Sequence, residues 1–266
     1  MELIMLGTGC ASATNCYNTC FALRLGPEYF LVDAGGGNGI FRQLNGAAIN
    51  CARIRHLFVT HCHTDHLLGV IWLLRKISAL MLEGKYADNF TIHCHAGLAR
   101  AIQTICALTL AREHGQFIGR RIEFKVVDDG DKTSFLGMGI TFFDVGSDKD
   151  RQYGFSAELP AGQRLACLGD EPYNQKNRRY VENCDWLLLE AFCLYADRDI
   201  FRPYEKHHST ALEAAKVAEG LKIKNLLLYH TEDTKLSARK QLYTAEARTV
   251  FSGNVFVPDD LERIAL

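Results

Sequence analysis

With 266 residues, the chain is long enough for one large domain or two small ones. Apolar residues make up 48% and charged residues 23%, which is ordinary for a soluble globular protein. The formal net charge of -1 excludes a global pull towards nucleic acid and leaves only a local basic groove open. No uncharged apolar run approaches the roughly 18 residues of a membrane span. The opening Met-Glu-Leu-Ile-Met-Leu-Gly has no basic segment ahead of an apolar one, so a cytoplasmic chain without membrane contact is expected. In that setting the 10 cysteines are expected to be reduced thiols. Cys10, Cys16 and Cys20 lie close together, but not at the CxxC spacing of a structural zinc site.

In chain order, a strand is predicted at residues 2–6, ended by the tight turn Gly7-Thr8-Gly9. Residues 19–25 and 29–33 read as a hairpin, with Gly26-Pro27 supplying the turn. Asp33 is followed by Ala-Gly-Gly-Gly, either a flexible turn before a helix or a place where backbone must approach closely. The apolar run 54–59 reads as a buried strand and delivers His61-Cys62-His63-Thr64-Asp65-His66, after which residues 67–82 have the periodicity of a buried helix. A strand at 90–93 leads into His93-Cys94-His95, which lacks an acidic companion and precedes a helix-like segment at 97–111. That trio, like the isolated His56 and His114, reads as structural.

Successive strands follow at 123–127, 140–145, 154–159 and 164–168, the last ending in Gly169-Asp170. The run 186–190 delivers Glu190, and an Ala-rich helix at 211–220 is introduced by His208-Ser209-Thr210, with Ser209 or Thr210 as N-cap. A last buried strand, 225–229, ends at His230. No repeat or linker interrupts the chain, so a single domain over 1–266 is expected. Strands come in two batches with helices after each, which suits two sheets packed face to face with helices outside. Periodicity alone supports only layered α and β structure.

The chemistry is concentrated in the cluster after residue 59. Imidazole nitrogens and carboxylate oxygens at a strand end suit zinc, iron, manganese or nickel. His61 and His63 can reach one ion, and Asp65 and His66 a second. Asp65, Asp170, Glu190 and His230 all stand at or just after strand ends, as a site at a sheet edge requires.

The cluster resembles the HxHxDH signature of the metallo-β-lactamase superfamily. Together with Leu6-Gly7-Thr8-Gly9, Gly169-Asp170, Leu189-Glu190-Ala191, His208-Ser209-Thr210-Ala211 and Leu228-Tyr229-His230, it resembles the ribonuclease Z branch of phosphodiesterases. The resemblance covers nearly the whole chain and implies an α/β fold, the four-layered αβ/βα sandwich (metallo-β-lactamase fold). It also implies two divalent ions, zinc foremost, with manganese, iron or nickel as alternatives. His61 and His63 would bind metal one, Asp65 and His66 metal two, with Asp170 bridging and His230 completing metal two. Asp33 would buttress the metal loop from behind, Asp65 would also handle the proton of the attacking water, and Glu190 with His208 would form the acid-base dyad.

This chain departs from that branch in three places. The branch carries a histidine six residues before a Gly-Tyr pair as the last ligand of metal one; here the pair is Gly154-Phe155 and the position is Asp148. A carboxylate there keeps a ligand but alters metal preference. The tRNA-processing members insert a long arm where only a few residues separate Leu159 from Arg164, so tRNA is not the expected substrate. The histidine that precedes the dyad glutamate is Leu189. The expected function is a dinuclear phosphodiesterase on a small or nucleotide-type phosphodiester, with a homodimer allowed. The alternatives are hydrolysis of a thioester, lactone or other carboxylic ester, and a metal-poor binding or regulatory module.

Overall fold

The computed structural model describes all 266 residues. In chain order the strands are β1 (Glu2–Gly7), β2 (Cys20–Leu25), β3 (Glu28–Val32), β4 (Ile54–Phe58), β5 (Phe90–Cys94), β6 (Ile122–Val126), β7 (Lys132–Phe135), β8 (Met138–Asp144), β9 (Tyr153–Glu158), β10 (Arg164–Cys167), β11 (Trp186–Glu190), β12 (Asn225–Tyr229), β13 (Asn254–Phe256) and β14 (Arg263–Ala265). The helices are α1 (Gly39–Gly46), α2 (Thr64–Leu82), α3 (Ala96–Thr109), α4 (Arg112–Gly115), α5 (Arg178–Val181), α6 (Arg198–Phe201), α7 (Ala211–Gly220) and α8 (Leu236–Ala247). The chain forms two compact units. One comprises Met1–Gly7, Tyr17–Val127 and Asp260–Leu266, the other Thr8–Cys16 and Asp128–Asp259.

The first unit is built on a seven-stranded sheet in the order β14-β1-β2-β3-β4-β5-β6. Its hairpin half is antiparallel, and from β3 onwards the strands run parallel. Parallel neighbours need crossovers, and α1, α2 and α3 supply them. Alternate strand residues Ile4, Leu31, Leu57 and Ile92 share one core with Val70, Leu74 and Ile77 of α2 and Leu98 and Ile102 of α3. The second unit repeats the plan with order β13-β12-β11-β10-β9-β8-β7, parallel from β10 to β13 and antiparallel from β10 to β7. Leu187, Leu189, Leu226 and Leu228 face Ala211, Ala214, Ala215 and Ala218 of α7 and Tyr243 and Ala247 of α8. The small alanines let that helix lie close to the strands.

Two boundaries differ from the sequence reading in a way that matters. Helix α2 starts at Thr64 rather than residue 67, with His63 as an extended N-cap, so Asp65 and His66 lie in its first turn. The polar residues hid the helical register, yet a carboxylate there complements the helix dipole. Helix α8 was not expected: its buried stripe is Arg239, Tyr243 and Ala247, and the arginine breaks the apolar periodicity. All ten cysteines are free thiols. No helix is long and apolar enough to cross a membrane.

Candidate metal centre

In the first unit, β3 ends one residue before Asp33, which takes a left-handed backbone conformation (φ 55°) and is tied to β4 by its N–H to the Phe58 carbonyl at 2.8 Å. Its carboxylate accepts three hydrogen bonds of 2.8 Å, from the Thr60 N–H, the Thr60 hydroxyl and His66 Nδ1. The Thr60 proton is committed to Asp33, so His61 Nδ1, 2.9 Å from Thr60 Oγ1, is the donor of that contact. Both imidazoles are thus held with Nε2 as the basic nitrogen, the form a metal ligand needs. His61, Asp65 and His66 are buried. His66 Nε2 lies 3.3 Å from Asp65 Oδ2, and the His61 ring centroid is 4.4 Å from that of His63 and 4.2 Å from that of His66. Burial alone would lower the His66 pKa, and the charges and hydrogen bonds of Asp33 first and Asp65 second more than reverse it.

The residues after Asp33 do need close approach. A Cβ on Gly69 would lie 1.8 Å from the Ala34 carbonyl oxygen, and the Gly69 N–H bonds Gly35 O at 2.8 Å. The glycine run therefore clamps the second turn of α2 and with it the two ligands in the first.

In the second unit, β10, β11 and β12 end near Asp170, Glu190 and His230. Ligand atoms of Asp170, His208 and His230 lie within 4.8 Å of one another, all three residues buried or nearly so. His230 Nε2 is 3.6 Å from Asp170 Oδ2. His230 also has a left-handed backbone (φ 58°). Behind it Arg239, 1% exposed, donates to the hydroxyls of Thr8 (2.9 Å) and Thr231 (3.0 Å) and to Pro258 O (2.7 Å). The Tyr229 hydroxyl bonds the Gly169 carbonyl, tying the two strand ends together. Sequence reasoning missed Arg239; the signal was a cation at i, i+4 and i+8 register with Tyr243 and Ala247.

His208 stands apart in character. Its loop turns sharply through left-handed Arg202 and His207, and the His208 N–H closes on Pro203 O at 2.9 Å. The ring stacks on Phe192 (centroids 5.0 Å, 10° between planes) and lies 5.2 Å from the His230 ring. His208 Nδ1 faces Glu190 Oε2 at 3.6 Å, and the other carboxylate oxygen accepts the Ser209 N–H at 2.6 Å. Burial pushes the Glu190 carboxyl above its usual range, partly offset by His208 and Ser209. Burial would lower His208, but Glu190 foremost, with Asp170, carries it above the ordinary imidazole value. Thr210, not Ser209, caps α7, in a capping box with Glu213.

Asp148 lies exposed on the loop after β8, where it lines a cavity with His208. The expected non-ligands behave as structural groups: His56 Nδ1 meets His93 Nε2 at 3.2 Å, and His95 caps α3 by accepting the Leu98 N–H at 3.3 Å. Buried imidazoles and carboxylates fit a borderline divalent ion such as zinc in each donor set, with the tautomers of His61 and His66 fixed in the first.

Residues 28–231 match the family described as Beta-lactamase superfamily domain. The chain is 27% identical to ribonuclease Z of Bacillus subtilis (strain 168), over 98% of each protein. The crystal structure of the metallo-beta-lactamase fold protein YhfI from Bacillus subtilis is similar at a TM-score of 0.80 and 21% identity, covering 99% of this chain and 98% of that one. Human tRNase Z, short form, is similar at a TM-score of 0.76 and 23% identity, covering 100% and 99%. The likenesses show the metallo-β-lactamase fold, of the α/β sandwich class, and the chain belongs to the beta-lactamase superfamily domain family, in its ribonuclease Z-like branch of metal-dependent hydrolases.

Proposed function

We propose that the protein is a dinuclear phosphodiesterase acting on a small or nucleotide-type phosphodiester, and that its two units work as one hydrolase domain over residues 1–266. His61, His63, Asp65, His66, Asp170 and His230 are the proposed ligands of the two ions, zinc foremost, with Asp148 as the proposed extra donor for metal one. The observation that carries the reading is the Glu190–His208 pair beside Asp170 and His230: a buried carboxylate 3.6 Å from an imidazole whose pKa it raises, next to ligand-type groups. Relatives named ribonuclease Z support phosphodiester chemistry.

Bound divalent ions would supply Lewis acidity, lowering the pKa of water and neutralising phosphoryl oxygens. The chain's own part is positioning and proton transfer. Asp33 and Thr60 keep His61 and His66 in one tautomer and orientation, and Asp65 is the acceptor proposed for the proton of the attacking water. Glu190 stabilises protonated His208, which gives its proton to the departing oxygen, while Phe192 fixes the ring plane. Between β9 and β10 only residues 159–163 intervene, closed by Leu159 N–H to Gln163 O at 2.8 Å. With no arm there and a net charge of -1, efficient processing of precursor tRNA is not expected.

The test is hydrolysis of bis-p-nitrophenyl phosphate, cyclic nucleotides, a thioester and a lactone by protein loaded in turn with zinc, manganese, iron and nickel. Turnover of the diesters with the acyl substrates inert is expected. The reverse pattern would assign the site to acyl transfer, and inactivity with less than about 0.1 metal per chain would assign a binding role.

A further inference from the structure

One buried carboxylate in the second unit gathers the loop that follows β8. Glu171, next to Asp170 and 6% exposed, accepts the Ser147 hydroxyl at 2.8 Å and the Gln152 amide N–H at 3.3 Å through one oxygen, Oε1, and the Lys149 ammonium lies 3.1 Å from the same atom. That ammonium also donates to the Lys206 carbonyl at 3.3 Å. Lys206 belongs to the turn that carries His208. The turn is entered through left-handed Arg202 and leaves through left-handed His207, residues 204–207 are exposed, and the His208 N–H closes on Pro203 O at 2.9 Å. Lys206 places its own ammonium 4.7 Å from the centre of the Phe192 ring, on which His208 stacks.

An exposed turn with left-handed residues owes its order to the few bonds that cross to it. Lys149 supplies one of these, and its ion pair with a buried carboxylate is unlike the screened surface pairs that contribute little. We propose that Lys149 is a positioning residue for His208: anchored on Glu171, it holds the Lys206 carbonyl and so sets the place of the imidazole beside Glu190 and Asp170. For its catalytic consequence this rests on the phosphodiesterase reading, and for the order of the turn on the contacts alone. Displacing a reacting group by about 1 Å can cost about a hundredfold in rate, so loss of the anchor should appear in kcat rather than in KM.

The experiment compares the wild-type chain with Lys149→Met, which keeps the apolar stem without the charge, and Lys149→Arg, which keeps a charged donor. Deuterium exchange followed by mass spectrometry should show the 203–208 segment exchanging about tenfold faster or more in Lys149→Met, with Lys149→Arg close to wild type. Turnover is measured on methyl p-nitrophenyl phosphate and on methyl phenyl phosphate, whose phenoxide departs less readily and leans more on a proton donor. Lys149→Met should lower kcat about tenfold or more on the phenyl ester and less on the p-nitrophenyl ester, with KM, zinc content and melting temperature near wild type and the rate restored by Lys149→Arg. Unchanged exchange in Lys149→Met overturns the proposal. So does faster exchange with kcat unchanged on both esters, or with both rates lowered alike together with the melting temperature, the mark of a purely structural brace. A wild type inert on both esters sinks the phosphodiesterase reading instead, and exchange alone then decides whether Lys149 holds the turn.

Discussion

Two of the molecule's imidazole–carboxylate pairs, His66 with Asp33 and His208 with Glu190, are built differently. Asp33 grips His66 at 2.8 Å and is saturated by Thr60, so neither group has room to move. Glu190 stands 3.6 Å from His208, fully buried and with its pKa raised, and the histidine sits on a loop that turns through two left-handed residues. The tight pair suits a residue that must present one fixed lone pair. The looser pair suits one that must gain and lose a proton. The same two residue types thus divide into a ligand support and an acid according to how completely the carboxylate is hydrogen-bonded.

The largest expected effect comes from breaking the tight pair. Asp33→Ala should cost about 3 to 5 kcal/mol in denaturant unfolding, because it leaves Thr60 and His66 buried without their acceptor. It should also weaken metal binding about 10- to 100-fold in a chelator competition. Loss of less than about 1 kcal/mol with metal affinity intact would make Asp33 an ordinary core polar group. His208→Ala probes the loose pair. It should lower kcat on a phosphodiester by about 10²- to 10⁴-fold while leaving stability and metal content near wild type. If the metal falls with it, His208 is a ligand, as its place within 4.8 Å of Asp170 and His230 allows, and the division between the pairs fails.

A third imidazole arrangement is governed by burial. Burial pushes His56 down to about 4 and His93, with a smaller contribution from His56, down to about 3, from an ordinary 6.5. The folded state disfavours their protonation, so this contribution is complete above the unfolded value and is lost as pH falls from about 6.5 towards 4 and 3. The melting temperature should fall across pH 6.5 to 5, and His93→Phe should flatten that slope. An unchanged slope assigns the decline to other groups.

The tight pair was foreshadowed in the sequence, because an apolar run ending in Asp33 and another ending in the histidine cluster place both at strand ends, and the ends of β11 and β12 were legible for the same reason. The loose pair was named as a dyad through the family resemblance alone, since no local pattern sets His208 beside Glu190. Its ring support, Phe192, arises from a tertiary contact that no local pattern encodes, whereas the buried Arg239 left only its register with Tyr243 and Ala247 as a trace. The start of α2 was misplaced because ligands occupy its first turn, where apolar periodicity would otherwise mark the helix.

The smallest effect is expected at Asp148. It is exposed, so Asp148→His should tighten the first metal only modestly, shift preference from manganese towards zinc and lower the pH optimum of hydrolysis, since replacing an anionic ligand makes bound water more acidic. No change in stoichiometry, preference or optimum would leave Asp148 a solvent-facing loop residue.

The central proposal is that the chain binds two divalent ions and needs Asp170 to do so. Its most direct test is the metal content of protein purified from zinc-supplemented cells, measured by mass spectrometry for wild type and Asp170→Ala. The expected result is about two ions per wild-type chain, falling to one or fewer when the Asp170 carboxylate is removed, with the chain still folded by circular dichroism. Two ions retained in Asp170→Ala, or none in the wild type, would contradict it.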